Sequence, residues 1–208
     1  MPIRVVLADD HAMFREGLRL LLERAGIAVV GEAENGVELI ALARSLRPQV
    51  VITDMSMPLM NGIEAAAAIK QELGIPSILL TMHTDPQYVL RAMSTGIVGY
   101  VLKSKASGCL VEAVQEVSRG NVYLSPGASN TVLRGMLTKS EIEEPLTARE
   151  RQVLQLIAEG YTTKELAHFM TITVRTGESH RASLMDKLNI HNTAGLVRYA
   201  LKQGLAQL

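Results

Sequence analysis

Five polar residues stand where a chain could do chemistry: the pair Asp9-Asp10, then Asp54, Thr81 and Lys103. Each closes a short apolar, β-branched run, so each falls at the carboxyl end of an expected strand. In an open parallel sheet, ligands bind outside those carboxyl ends. Three carboxylates converging on one crevice repel one another and need a cation, and hard oxygen donors suit Mg2+. A lysine and a hydroxyl added to such a site would bind a phosphoryl group, the first as a point charge and the second through one hydrogen bond. An aspartate can itself accept a phosphoryl group covalently. A single Asp at a strand end is more often an ordinary cap or turn residue. The set of five carries the chemistry.

The elements that must position these residues alternate over the first 120 positions. The expected strands are Ile3–Ala8, Ala28–Glu32, Val50–Asp54, Ser77–Met82 and Val98–Leu102. Segments of helical period lie between them; in the first, Phe14, Leu18, Leu21, Leu22 and Ala25 share one face. Five strands alternating with five helices predict an α/β fold, a (βα)5 doubly wound parallel sheet over residues 1–120. Continuous rather than alternating apolar strands agree with burial on both faces. Residues 121–145 contain the turn cluster Ser125-Pro126-Gly127 and end in Glu143-Glu144-Pro145, so they read as a linker. From Leu146 onward only helical periods occur. Thr147, Thr162 or Thr163, Thr173, and Asn192 or Thr193 can each open a helix, predicting an all-α four-helix unit over 146–208.

Composition limits the rest. With 208 residues, 48% hydrophobic and 20% charged, the chain is neither disordered, collagenous nor a disulfide scaffold. No apolar run approaches the length of a membrane span, and the acid-terminated start lacks the shape of a signal peptide. The single cysteine, Cys109, cannot form an internal disulfide and fits a reducing, cytoplasmic compartment. Its helical surroundings mark it as a small buried hydrophobe. His11 has no second His or Cys nearby, so no metal role is expected of it. The net charge of zero conceals an asymmetry. Residues 1–125 carry 11 basic and 13 acidic side chains, whereas residues 145–208 carry 8 and 5. A mildly basic C-terminal block is compatible with nucleic acid.

Asp9-Asp10, Asp54 followed by Met57-Pro58 and Gly62, Thr81, and Tyr100-Val-Leu-Lys103 together resemble the receiver domain of two-component response regulators. The resemblance covers residues 1–120. It implies that Asp54 is the phosphoacceptor, that Asp10 binds Mg2+ directly and Asp9 through water, and that the Ser56 carbonyl supplies a further ligand. It also implies that Thr81 and Lys103 hold the phosphoryl group and that Tyr100 turns inward when Thr81 moves. A sensor histidine kinase, or a small phosphodonor, is the implied partner. Two positions depart from the commonest pattern. Ser104 replaces a proline after the lysine, so no cis peptide is expected there. Met82 replaces a small residue after the threonine and could limit water access to the phosphoryl group.

Residues 146–208 resemble the helix-turn-helix domain of the LuxR/NarL type, through Leu146-Thr-Ala-Arg-Glu150, Leu156-Ile-Ala-Glu-Gly160, Lys164-Glu-Leu-Ala167, Thr173-Val-Arg-Thr176, His180-Arg181 and Lys187-Leu188. The turn is then Thr171-Ile172, and 173–188 the recognition helix. Helical geometry puts Val174, Leu184, Met185 and Leu188 on an expected buried stripe. Arg175, Ser179 and Ala182 point away from it, with Glu178 beside them, as in a helix lying in the major groove. Arg175 could take a phosphate or a guanine, and Glu178 could accept from cytosine N4. Arg181 falls near the stripe, from which its stem could snorkel to a phosphate. Thr163 and Lys164 open the preceding helix and could meet backbone phosphates. The expected DNA-binding set is Thr163, Lys164, Arg175, Thr176, Glu178, Ser179, Arg181 and Ala182. Gly177 stands where the family usually has a branched aliphatic, and glycine within a helix costs about 1 kcal/mol against alanine.

The resemblances imply a transcription factor whose DNA binding is controlled by phosphorylation of Asp54, and which is not an enzyme. It would act as a homodimer when phosphorylated, on a pseudo-palindromic operator, with dimer contacts through Val197, Ala200 and Leu201. The unphosphorylated receiver would mask the recognition helix. The alternatives are the same fold with phosphorylation-independent DNA binding, an Asp-nucleophile hydrolase and a flavin-binding protein. The hydrolase is disfavoured because the usual second Asp, two residues after the nucleophile, is Ser56 here. The flavin reading would set three acids against an anionic cofactor.

Overall fold

The computed structural model describes residues 1–82, 89, 92–93, 95–128 and 146–206. The chain divides into two compact units.

The first unit is a six-stranded, all-parallel sheet in the order β2-β1-β3-β4-β5-β6. Its strands are β1 (Arg4–Ala8), β2 (Ala28–Ala33), β3 (Val50–Asp54), β4 (Ser77–Thr81), β5 (Gly99–Leu102) and β6 (Tyr123–Leu124). Every residue of β3, β4 and β5 is buried, as expected of strands covered on both faces. Among the described residues, its helices with defined bounds are α1 (Ala12–Arg24), α2 (Gly36–Leu46), α3 (Gly62–Leu73) and α4 (Ala106–Ser118). Leu18 and Leu22 of α1 and Leu110 and Val114 of α4 pack on one face of the sheet. Ile63 and Ala66 of α3 pack on the other, with Leu79 and Tyr100. Asn35 and Asn61 cap α2 and α3, accepting from the amides of Glu38 and Glu64 at 2.9 and 3.0 Å. Strand order reverses between β1 and β3, which opens a crevice at their carboxyl ends.

The sequence predicts five strands; the structure adds a sixth. Tyr123 and Leu124, placed in the expected linker, pair with Gly99 and Tyr100. Two residues beside a turn cluster carry no period, so the strand has no signature of its own. The expected linker lies outside the described residues from 129 on, as does most of the segment between β4 and β5. Cys109 is buried, as its surroundings predict, and its thiol donates to the Lys105 carbonyl at 3.1 Å. Burial pushes that thiol's pKa up.

Among the described residues, the second unit has four helices: α5 (Ala148–Ala158), α6 (Thr163–Phe169), α7 (Val174–Leu188) and α8 (Thr193–Lys202). Thr147 with Glu150, and Thr162 with Glu165, form reciprocal capping boxes that start α5 and α6. Thr173 and Asn192 cap α7 and α8. Thr171, in the turn between α6 and α7, takes a left-handed φ of 53°. The core joins Val153, Leu154 and Ile157 of α5 to Leu166, Leu184 and Leu196.

Two expectations for this unit need correction. Val174 is 44% exposed and lies off the buried stripe; that place on α7 is taken by Gly177, which is buried. A Cβ on Gly177 would stand 3.3 Å from Thr163 Cγ2 and 3.5 Å from Leu166 Cδ2. The glycine therefore lets α7 approach α6 closely. Ala200 is fully buried in the core of this unit, so it cannot face a second copy. Val197 and Leu201 are partly exposed.

Candidate functional site

The crevice of the first unit gathers the residues singled out in the sequence. Asp9 directly follows β1 and is fully buried; Asp10 beside it is exposed. Asp54 ends β3 at 3% exposure. The close approach of α3 to Asp54 depends on Gly62, where a Cβ would fall 1.9 Å from the Asp54 carbonyl oxygen. Thr81 ends β4, buried, with its hydroxyl 3.7 Å from Met55 Sδ. Lys103 follows β5 and opens a short 3-10 turn, Lys103–Lys105. Ser56 is buried just beyond β3, and Tyr100 points into the core beside Leu79 and Ile63. Met82 is 72% exposed beside Thr81. No cis peptide occurs among the described residues.

Lys103 Nζ lies 2.8 Å from Asp9 Oδ2 and 2.9 Å from Asp54 Oδ2. Both distances suit charge-assisted contacts from the ammonium, and each carboxylate oxygen, with two lone pairs, keeps acceptor capacity. Phe14 backs the ammonium, its ring centroid 4.9 Å from Nζ. Burial pushes the Asp54 carboxyl up to about 6; Lys103 opposes that rise and Asp9 adds to it. Burial works against the Lys103 charge, but Asp54 and Asp9 outweigh it and hold its pKa above the usual range. His11 turns its Nδ1 to 2.8 Å from Asp10 Oδ1. Ligand atoms of Asp9, Asp10, His11 and Asp54 all lie within 4.8 Å of one another. The imidazole thus reaches the acidic cluster, although no metal role was expected of it.

Three carboxylates facing one ammonium leave two negative charges uncompensated. A divalent cation with a preference for oxygen matches that charge and the remaining acceptor capacity of the buried oxygens. The residues present therefore fit Mg2+.

Arg15 also belongs to this site, though no motif in the sequence singles it out. Its guanidinium donates to the Asp9 carbonyl oxygen and pairs with Glu32 at 3.2 Å and Glu34 at 2.9 Å. Nothing in its spacing separates it from a solvated helix arginine.

On the helical unit, Arg175, Thr176, Glu178, Ser179 and Ala182 are exposed on α7. Thr163 and Lys164 begin α6, half-buried and exposed respectively. The Thr176 hydroxyl lies 2.8 Å from that of the capping Thr173. Arg181 differs from the rest, since its Nη2 donates to Thr193 Oγ1 on α8 at 2.6 Å. Lys187, near the end of α7, pairs with Glu150 of the α5 capping box at 2.8 Å. Among the described residues, no helix is long and apolar enough to cross a membrane.

Comparison with known proteins agrees with both units. Residues 5–115 match the response regulator receiver domain, and residues 144–200 match the luxR family of bacterial regulatory proteins. The transcriptional regulatory protein MctR of Rhizobium johnstonii is 38% identical over 98% of this chain and 95% of its own. The response regulator protein VraR of Staphylococcus aureus is 35% identical over the full length of both. A structure of the two-component response regulator RcsB in complex with DNA is 31% identical, with a TM-score of 0.60 over 96% of this chain and 98% of that one. The chain therefore belongs to the LuxR-family two-component response regulators, transcription regulators that join a receiver domain to a DNA-binding helix-turn-helix domain.

Proposed function

We propose that phosphorylation of Asp54 controls sequence-specific DNA binding by the helix-turn-helix domain. The observation that carries this reading is the Asp54 carboxylate itself. It is buried at a strand end, 2.9 Å from Lys103 and grouped with Asp9 and Asp10. An Asp54 oxygen attacks phosphorus, the bond from phosphorus to the donor's leaving group breaks, and an acyl phosphate remains on Asp54. Asp9, Asp10, Asp54 and the Ser56 carbonyl would hold Mg2+. When bound, the ion neutralises charge between the carboxylates and the phosphodonor. Lys103 keeps its ammonium at the oxygens of the new phosphoryl group, and Thr81 donates its hydroxyl to them. Those contacts bias a two-state receiver; Tyr100 belongs to its switch, but it is already buried beside Leu79 and Ile63, so no inward turn is assigned to phosphorylation.

The phosphodonor is a sensor histidine kinase, and the setting is the cytoplasm. The phosphorylated protein dimerises through Val197 and Leu201 of α8. It reads a pseudo-palindromic operator with α7, through Arg175, Thr176, Glu178, Ser179 and Ala182, while Thr163 and Lys164 meet phosphates. Arg181 is assigned to the α7–α8 contact with Thr193 before any phosphate. Two structures support DNA as partner and a dimer as the working form: the RcsB–DNA complex, and one described as two RcsB dimers bound to two parallel DNAs. The test is labelling by acetyl phosphate with Mg2+. Wild type is labelled, EDTA stops it, and Asp54→Asn is not labelled; equal labelling of the variant would place the acceptor elsewhere.

A further inference from the structure

We infer that Arg15 is a positioning residue for the metal ligands Asp9 and Asp10, fixing the peptide that joins them. The inference rests on the proposal that the acidic cluster holds Mg2+. Arg15 stands in the first turns of α1, on a side chain only 12% exposed. One arm donates to the Asp9 carbonyl oxygen; the rest of the guanidinium is held by Glu32 at 3.2 Å and Glu34 at 2.9 Å. Arg19 steadies Glu32 from the other side at 3.4 Å. The guanidinium is thus locked between the end of β2 and the loop after β1.

That lock acts on a specific degree of freedom. The peptide from Asp9 to Asp10 is planar, so the Asp9 carbonyl and the Asp10 amide turn together. The rest of Asp9 is already fixed: its N–H donates to Ala33 at 3.1 Å, and Oδ1 accepts from the His11 amide at 2.9 Å. Turning the peptide would swing the Asp10 carboxylate, which is exposed and, among the described residues, is held by the side chain of His11 at 2.8 Å rather than by backbone. Arg15 supplies the anchor through the Asp9 carbonyl oxygen. Its planar fork suits this, since it meets the carbonyl and two carboxylates at once where an ammonium would meet them as one point charge.

The experiment uses the full chain and Mg2+ alone, titrated by calorimetry, with thermal unfolding in EDTA recorded for each variant. Arg15→Ala should weaken Mg2+ binding about tenfold or more, the size usual for groups that orient metal ligands. Arg15→Lys, which keeps the charge and one donor at a time, should fall between that and wild type. Arg44→Ala removes a two-pronged ion pair with Glu72 at 2.8 and 2.7 Å elsewhere on the same unit, and should leave Mg2+ affinity unchanged. The inference is overturned if Arg15→Ala binds Mg2+ within about twofold of wild type, or if Arg44→Ala weakens binding as much. Should Arg15→Ala fail to fold, Arg15→Lys decides: affinity equal to wild type overturns the inference, and weaker binding at an unchanged melting temperature supports it. A wild-type chain that binds no Mg2+ at millimolar concentration would instead remove the proposed metal site itself.

Discussion

Lys103 Nζ stands 2.9 Å from Asp54 Oδ2, yet the Asp54 carboxyl is pushed up to about 6. Burial outweighs the ion pair, so the folded first unit holds a strained charge at neutral pH. The folded pKa lies above the unfolded value. The stabilising contribution of Asp54 is therefore full below about pH 4 and is lost as pH rises through about 6. In EDTA at pH 7.5, Asp54→Asn should be more stable than wild type by about 1–3 kcal/mol. The gap should narrow as pH falls towards 5. Urea unfolding at the two pH values checks this; a gap that widens on acidification would contradict it.

Gly177 reverses an expectation from propensity. A branched aliphatic should strengthen α7 as a helix, but a Cβ there already stands 3.3 Å from Thr163 Cγ2. Gly177→Val should destabilise the helical unit by about 1–3 kcal/mol through overpacking. Gly177→Ala should be near neutral, its gain of about 1 kcal/mol in propensity offset by the tight contact. Urea unfolding of both variants checks the order.

How much of this was legible in the sequence depends on the scale of each cause. Val50–Asp54 emerges with its bounds unchanged, because an unbroken apolar run ended by an acid is a local signal. The placement of Asp9, Asp54, Thr81 and Lys103 follows from such runs. Three other features depend on neighbours distant in sequence. Gly177 is buried because α6 lies against it, Ala200 because the core closes over it, and Arg15 matters because β2 ends beside it. Periodicity gives the face of a helix but not how far a neighbour covers it.

Glu150 serves two structures at once, closing the α5 capping box and pairing with Lys187 of α7. Glu150→Ala should therefore cost about 1–2 kcal/mol. Lys187→Ala, which removes only the partly exposed pair, should cost less than about 1 kcal/mol. The pair and the capping amide hold the Glu150 carboxyl below its usual range. Its contribution is present above the unfolded pKa and is lost as pH falls through the folded one. Chemical unfolding of both variants at neutral and acidic pH tests this.

Met82 lies 72% exposed beside Thr81. If its bulk shields the acyl phosphate from water, Met82→Ala should shorten the lifetime of the phosphorylated protein about two- to tenfold. An unchanged rate of phosphate release would remove Met82 from the account.

Exposed Lys164 at the start of α6 should act as a phosphate contact. Lys164→Ala should weaken binding equally on all DNA sequences and lower the salt slope by about one. Arg175→Ala should cost about 1–3 kcal/mol and relax preference at one base pair if it reads a base. Affinities across several salt concentrations and operator variants separate the two.

The most direct test of the central claim is the DNA affinity of the full chain before and after treatment with acetyl phosphate and Mg2+, measured beside Asp54→Asn. Phosphorylation should tighten binding of wild type to a two-fold symmetric site with half-sites about one helical turn apart, and Asp54→Asn should neither be labelled nor gain affinity. Wild-type affinity that stays the same after Asp54 is labelled would contradict the account and leave DNA binding independent of phosphorylation.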